Sequence, residues 1–166
     1  MPLCAQSERM VSEGDDAPEF TNKVATGDVE EFSLADAVGE GPTLLAFFPG
    51  AFTPPCSNEM TALQEHLDRF EDAGASVYGV SADSPFTLNA FREEHGLGFP
   101  LVSDMSREAI RAYGLEIDVA DLGLHGVANR AVYVLDDDGT VTYAWEAGSP
   151  ENEPDYDELV EAVESA

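Results

Sequence analysis

The chain has 166 residues, 43% of them apolar, which is enough for one domain with a substantial core. Seven Lys and Arg stand against 34 Asp and Glu, a formal net charge of −27 that excludes attraction to DNA, RNA or an anionic membrane surface. Apolar and aromatic residues recur along most of the length, so the acid excess reads as a solvated surface and not as disorder.

Lys23 is the only lysine among the seven basic residues. That bias, with the acidic surface, resembles proteins of halophilic organisms, in which counterions screen self-repulsion. The two cysteines, Cys4 and Cys56, give no disulfide framework. No stretch approaches the ~20 apolar residues of a membrane span, and the opening residues carry no secretory apolar core. A cytoplasmic, reducing location is the expectation. Residues 1–14 read as a disordered lead-in and residues 15–166 as a single domain.

Residues 19–34 read as a β region broken by the turn Thr26-Gly27-Asp28. The continuous apolar run 43–48 reads as a buried strand ended by Pro49. A helix follows. Thr53 stands at its N-cap, with Pro54 and Pro55 in the first turn, where missing N–H groups cost little. Cys56, Met60, Leu63, Leu67 and Phe70 form one apolar stripe, and Gly74 closes the helix. Residues 75–80 read as a second buried strand. Ser84-Pro85 opens a helix that stops at Gly96, with Leu88 and Phe91 facing inward. A short strand is expected over 99–102 and a helix over 106–113. Residues 130–135 and 140–145 pair as a hairpin about Asp138-Gly139. A last helix carries Tyr156, Leu159, Val160 and Val163 on one face. Alternation of strands and helices, then a hairpin and a helix, describes a three-layer α/β domain with a mixed central sheet.

Cys56 lies on a core stripe, and cysteine is often simply buried. Its position argues for more. It sits in the first turn of a helix that directly follows a buried strand, where α/β sheets expose ligand sites. Backbone N–H groups and the positive end of the helix dipole converge there and favour a thiolate, the nucleophilic form.

Pro49-x-x-x-Thr53-x-x-Cys56 resembles the peroxiredoxin signature P-x-x-x-T-x-x-C, and Glu59 matches a position often acidic in that family. The segment Asn129-Arg130-Ala131-Val132-Tyr133-Val134-Leu135-Asp136 is similar to the family segment in which an arginine begins a strand. The resemblance covers residues 15–166 and implies a thioredoxin-like fold with an N-terminal β extension. It also implies a thiol-dependent peroxidase. The Cys56 thiolate attacks a peroxide oxygen and becomes sulfenic acid. Thr53 hydrogen-bonds thiolate or peroxide, Arg130 stabilises the thiolate and the leaving oxygen, Pro49 walls the pocket, and Glu59 holds Arg130.

Family members with a resolving cysteine five residues on would carry it at position 61, where this chain has Thr61. No cysteine follows Cys56, so Cys4 is the one internal candidate for a resolving thiol. The resemblance narrows to one-cysteine peroxiredoxins, with hydrogen peroxide or an organic hydroperoxide as substrate and an external thiol as reductant. A homodimer is implied and no cofactor is. A thiol–disulfide oxidoreductase or redox-regulated binding module on the same fold is the alternative; Thr53 stands where its second cysteine would be. His66, His95 and His125 lack ligand spacing, so no metal site is expected. Arg69, Arg92, Arg107 and Arg111 read as solvated helix faces and i,i+4 partners.

Overall fold

The computed structural model describes residues 11–149 and 151–166. Residues 1–10 of the expected lead-in, Cys4 among them, lie outside the described residues. Of the remainder of that segment, Val11 packs on the core, and the Gly14 amide donates to the Val141 carbonyl at 2.8 Å.

The elements run β1 (Thr21–Ala25), β2 (Val29–Ser33), α1 (Leu34–Ala37), β3 (Thr43–Phe47), α2 (Pro54–Glu65), α3 (Leu67–Asp72), β4 (Ser76–Ser81) and α4 (Pro85–His95). Then come β5 (Leu101–Ser103), α5 (Glu108–Ala112), β6 (Glu116–Val119), a 3₁₀ turn (Ala120–Leu122), β7 (Leu124–Ala128), β8 (Ala131–Leu135), β9 (Val141–Glu146) and α6 (Tyr156–Ser165). The seven-stranded sheet has the order β2-β1-β5-β4-β3-β8-β9. Its centre, β5-β4-β3, is parallel, and both flanks are antiparallel, so the sheet is mixed.

Strand periodicity sorts the core into two layers. On β3, Leu44 and Ala46 face one cluster, with Cys56, Met60, Leu63, Phe70, Phe91 and Leu159 from the helices over that face. Leu45 and Phe47 face the other, with Phe20, Phe32, Ile110 and Tyr113. This is the expected three-layer arrangement. Because β3 is buried on both faces, its sequence is apolar throughout and not alternating. Gly79 on β4 governs how closely α2 approaches the sheet. A Cβ there would lie 2.5 Å from a Leu101 methyl carbon, 3.2 Å from the Phe48 ring and 3.3 Å from the Met60 sulfur.

The single long helix expected after Pro49 is two. It breaks at His66, where both the backbone N–H and ring Nδ1 lie against the Ala62 carbonyl, at 3.2 and 2.9 Å. The apolar stripe nevertheless stays continuous, since Leu67 and Phe70 of α3 remain buried. The hairpin β6–β7 has no counterpart among the expected elements; its strands are only four and five residues long, and their register shifts between Ile117 and Val119.

Of the four arginines expected on solvated helix faces, Arg69 and Arg111 are exposed as expected, and all four also tie elements together. Arg69 meets Asp157 of α6 at 3.0 Å, and Arg92 Nε donates to the Phe99 carbonyl at 3.0 Å. Arg107, in the left-handed region at φ 65°, donates from Nε to the Gly126 carbonyl at 2.7 Å. Arg111 reaches Glu116 at 3.2 Å, one residue beyond i,i+4 spacing.

Candidate active site

Strand β3 delivers the chain to the site. After Phe47 the Phe48 amide still donates to the Val80 carbonyl at 3.0 Å, and buried Pro49 ends the ladder. A short loop then carries Phe52 at φ 68°, left-handed backbone that a side chain enters at a cost of about 1 kcal/mol or more. Thr53 occupies the N-cap position with extended backbone but makes no side-chain cap bond; its hydroxyl donates to the Gly50 carbonyl at 2.9 Å. Pro54 and Pro55 have no N–H, which leaves the Cys56 amide as the first donor in the helix. With its proton committed to Gly50, the Thr53 oxygen keeps its lone pairs as acceptors.

Cys56 follows in the first turn of α2, 1% exposed. Arg130 reaches it from the sheet side: Nη2 donates to Sγ at 3.4 Å, and the residue is itself 1% exposed. Arg130 lies between β7 and β8, and its backbone is clamped there. The Ala147 amide donates to the Arg130 carbonyl at 2.9 Å, and the neighbouring Asn129 amide donates to the Leu115 carbonyl at 2.8 Å. The Asn129 side chain adds bonds to Glu146 Oε2 at 2.8 Å and the Ala147 carbonyl at 3.0 Å.

Glu59, one turn beyond Cys56 on α2, is fully buried and accepts from Arg130 Nη1 at 2.5 Å. Its second oxygen, Oε2, has no hydrogen-bond partner among the described residues. Burial therefore outweighs the guanidinium beside it, and the Glu59 carboxyl is pushed up to about 7. Burial alone would lower the Arg130 pKa; Glu59 and Cys56 more than offset it, and the guanidinium stays protonated. One cation thus bridges a carboxyl and a thiol in a dry site. That arrangement favours negative charge on sulfur and on any oxygen leaving beside it.

Cys56, Arg130 and Glu59 are therefore in direct contact, with Pro49 and Thr53 on the loop that enters the helix. Cys4 falls outside the described residues. His125 is exposed, 3.7 Å from Asp118 on the β6–β7 hairpin. Asp83, at the end of β4, carries no motif and was not among the expected site residues. Its Oδ2 accepts from the Ala51 amide at 2.8 Å and so holds the loop before Thr53. A serine-spaced Ser81-Ala82-Asp83-Ser84 at a strand end is the signal that could have marked it. Among the described residues no cluster of His, Cys, Asp or Glu could hold a metal ion. No helix among them is long and apolar enough to cross a membrane.

Residues 13–144 match the AhpC/TSA family. The chain belongs to that family. A Mycobacterium tuberculosis relative that carries a peroxiredoxin name is 38% identical over 133 residues, which are 79% of this chain and 82% of that protein. Chloroplastic peroxiredoxin Q of Gentiana triflora is 31% identical over 156 residues, 94% of this chain and 68% of that one. Among solved structures, the reduced 2-Cys peroxiredoxin of Plasmodium vivax superposes with a TM-score of 0.80 at 26% identity, over 91% of this chain and 79% of that one. The fold is thioredoxin-like, as its sheet and flanking helices indicate, and the family is one of enzymes, the thiol peroxidases called peroxiredoxins.

Proposed function

We propose that this chain reduces hydrogen peroxide or organic hydroperoxides through Cys56, with Arg130, Thr53, Pro49 and Glu59 in the roles the geometry allows. The observation that carries this reading is the Arg130 guanidinium 3.4 Å from the Cys56 sulfur, with both residues out of solvent. The thiolate attacks the peroxide oxygen distal to the leaving group. An S–O bond forms, the O–O bond breaks, and the leaving oxygen takes up a proton to depart as water or alcohol, leaving Cys56 as sulfenic acid. Thr53 accepts from the peroxide O–H, Arg130 stabilises the oxygen that gains charge, Pro49 excludes water from one wall, and Glu59 fixes the guanidinium.

The sulfenic acid is returned to thiol by two equivalents of an external thiol. The first forms a mixed disulfide and releases water; the second displaces Cys56 and leaves as a disulfide with the first. Position 61 holds Thr, which supports a one-cysteine cycle, and Cys4 is the single alternative source of a second sulfur. The reductant is a thioredoxin-like protein or a small thiol. We place the enzyme in the cytoplasm as a homodimer of single domains spanning residues 15–166, at home in high salt given its net charge of −27.

Rapid mixing with limiting peroxide tests the reading. Cys56 should lose its thiol far faster than free cysteine does, and mass analysis should find one added oxygen. A rate equal to that of free cysteine would sink it. The salt assignment is checked separately: the melting temperature should rise from low to molar salt, and a flat response would remove it.

A further inference from the structure

Two supports converge on the loop between β3 and α2. The first is Asp83. Its Oδ2 accepts both the Ala51 amide, at 2.8 Å, and the Ser81 hydroxyl, at 2.8 Å. Its own amide donates back to the Ser81 hydroxyl oxygen at 3.3 Å, and its carbonyl accepts from the Ser103 hydroxyl at 2.6 Å. Ser81 is fully buried and Ser103 nearly so, at the ends of neighbouring parallel strands. The carboxylate is thereby fixed to the rigid edge of the sheet. The second support is the Phe52 ring, which meets the Phe91 ring edge-on at a centroid distance of 5.1 Å. Between the two anchors, Phe52 is held at φ 68°. Strained backbone of this kind persists where its surroundings over-determine it.

We propose that Asp83 is a positioning residue for the peroxide reaction of Cys56, acting by holding the Ala51 amide so that the loop presents the Thr53 hydroxyl to the peroxide. The inference rests on the peroxidase reading above. Asp83 is tied to the loop two residues before Thr53, and the Thr53 hydroxyl is oriented by Gly50 within the same loop. With the Ala51 bond gone, the loop loses its one hydrogen bond to the sheet edge among the described residues and keeps only the packing of Ala51 on the core, the Phe52–Phe91 contact and the Thr53–Gly50 bond, so Phe52 can relax toward ordinary backbone and shift Thr53 with it. Arg130 comes from the β7–β8 junction and Glu59 from α2, and among the described residues neither shares a hydrogen bond with Asp83. Loss of Asp83 therefore spoils the placement of peroxide while leaving the environment of the sulfur in place.

The test compares two reactions of one thiol: oxidation by peroxide, which needs the loop, and alkylation by iodoacetamide, which needs the thiolate alone. In Asp83→Ala the peroxide rate should fall about 10²-fold, the order expected for a misplacement near 1 Å, with alkylation within about twofold of wild type. Asp83→Asn keeps an oxygen able to accept both bonds and should restore the peroxide rate to within about fivefold of wild type. Three results would overturn the inference: an Asp83→Ala peroxide rate like wild type, equal losses in both reactions, or Asp83→Asn as slow as Asp83→Ala. Ser81→Ala, which removes the other bond to the same oxygen, covers the case in which Asp83→Ala does not fold. It should show the same selective loss at smaller size, and wild-type behaviour would overturn the inference. A wild-type enzyme inert to peroxide sinks the peroxidase reading itself, whereas a reactive wild type with an equally reactive Asp83→Ala sinks this inference alone.

Discussion

The two flanks of Cys56 are held by opposite means. On one, Arg130 and Glu59 are out of solvent, a charge pair from α2 and the sheet with one carboxyl oxygen unpartnered among the described residues. On the other, the loop from Gly50 to Thr53 is partly exposed, backbone-strained at Phe52, and bound through a single amide to Asp83. On the function proposed above, the first flank sets charge and the second sets place. A dry ion pair is costly to break, because removing either partner strands the other charge out of water. A hydrogen-bonded loop is cheap to loosen and intolerant of small shifts, because proper reaction geometry is lost within an ångström. Substitutions on the two sides should therefore leave different kinetic traces on the same sulfur.

The largest effect is expected on the charged side. Arg130→Met should lower the rate of Cys56 oxidation by about 10²- to 10³-fold, the loss usual for removing a donor to developing negative charge. Alkylation of Cys56 by iodoacetamide should slow in the same variant. If oxidation falls while alkylation keeps its wild-type rate, the two flanks are not distinct. Glu59→Ala leaves the buried guanidinium without its counter-charge and should cost about 3–5 kcal/mol in a denaturant titration. A cost under 1 kcal/mol would mean that the pair is dispensable to folding.

Thr53→Val, nearly the same shape without the hydroxyl, should slow peroxide reduction about tenfold to a hundredfold and leave alkylation unchanged. A shift in its alkylation profile would place Thr53 on the charge-setting side. The smallest effect concerns pH. The folded-state pKa of Glu59 is raised by burial from 4.5 to about 7. Its contribution to stability is thus fully present below about pH 4.5 and is lost as pH rises through about 7. Wild type should lose stability relative to Glu59→Gln across that interval, and parallel curves of denaturation midpoint against pH would show that the carboxyl stays ionised throughout.

What could be read without coordinates follows a simple division. The run 43–48 is buried on both faces and so is apolar in every position, and the stripe from Cys56 to Phe70 repeats with the helix. Pro49, Thr53 and Cys56 stand within a few residues of one another, so their spacing could be seen directly. Glu59 and Arg130 lie 71 residues apart, and only resemblance to a family joined them beforehand. The unread parts depend on contacts with no local pattern. The β6–β7 hairpin is fastened by Arg107 to the Gly126 carbonyl, from 19 residues away. Asp104 supports α5 by accepting from the Ala109 and Ile110 amides at 3.1 and 2.8 Å, while also taking Asn22 from β1 at 2.8 Å. Asp83 belongs to the same class: beyond its local bond from the Ser81 hydroxyl, its carboxylate takes the Ala51 amide from 32 residues away, a backbone N–H of the kind any sequence possesses.

Gly79 has a bearing on the chemistry although it offers no functional group. It acts as a spacer under the helix that carries the sulfur, since a methyl group at that place would press on Met60, one turn along α2 from Cys56. Arg130 is rooted beside β8 and Cys56 in α2, so the reach between them crosses from the sheet to the helix layer. Enlarging Gly79 would crowd Leu101 first and Phe48 and Met60 next, so the packing beneath the helix that carries the nucleophile extends to a position on β4 that no inventory of reactive side chains would include.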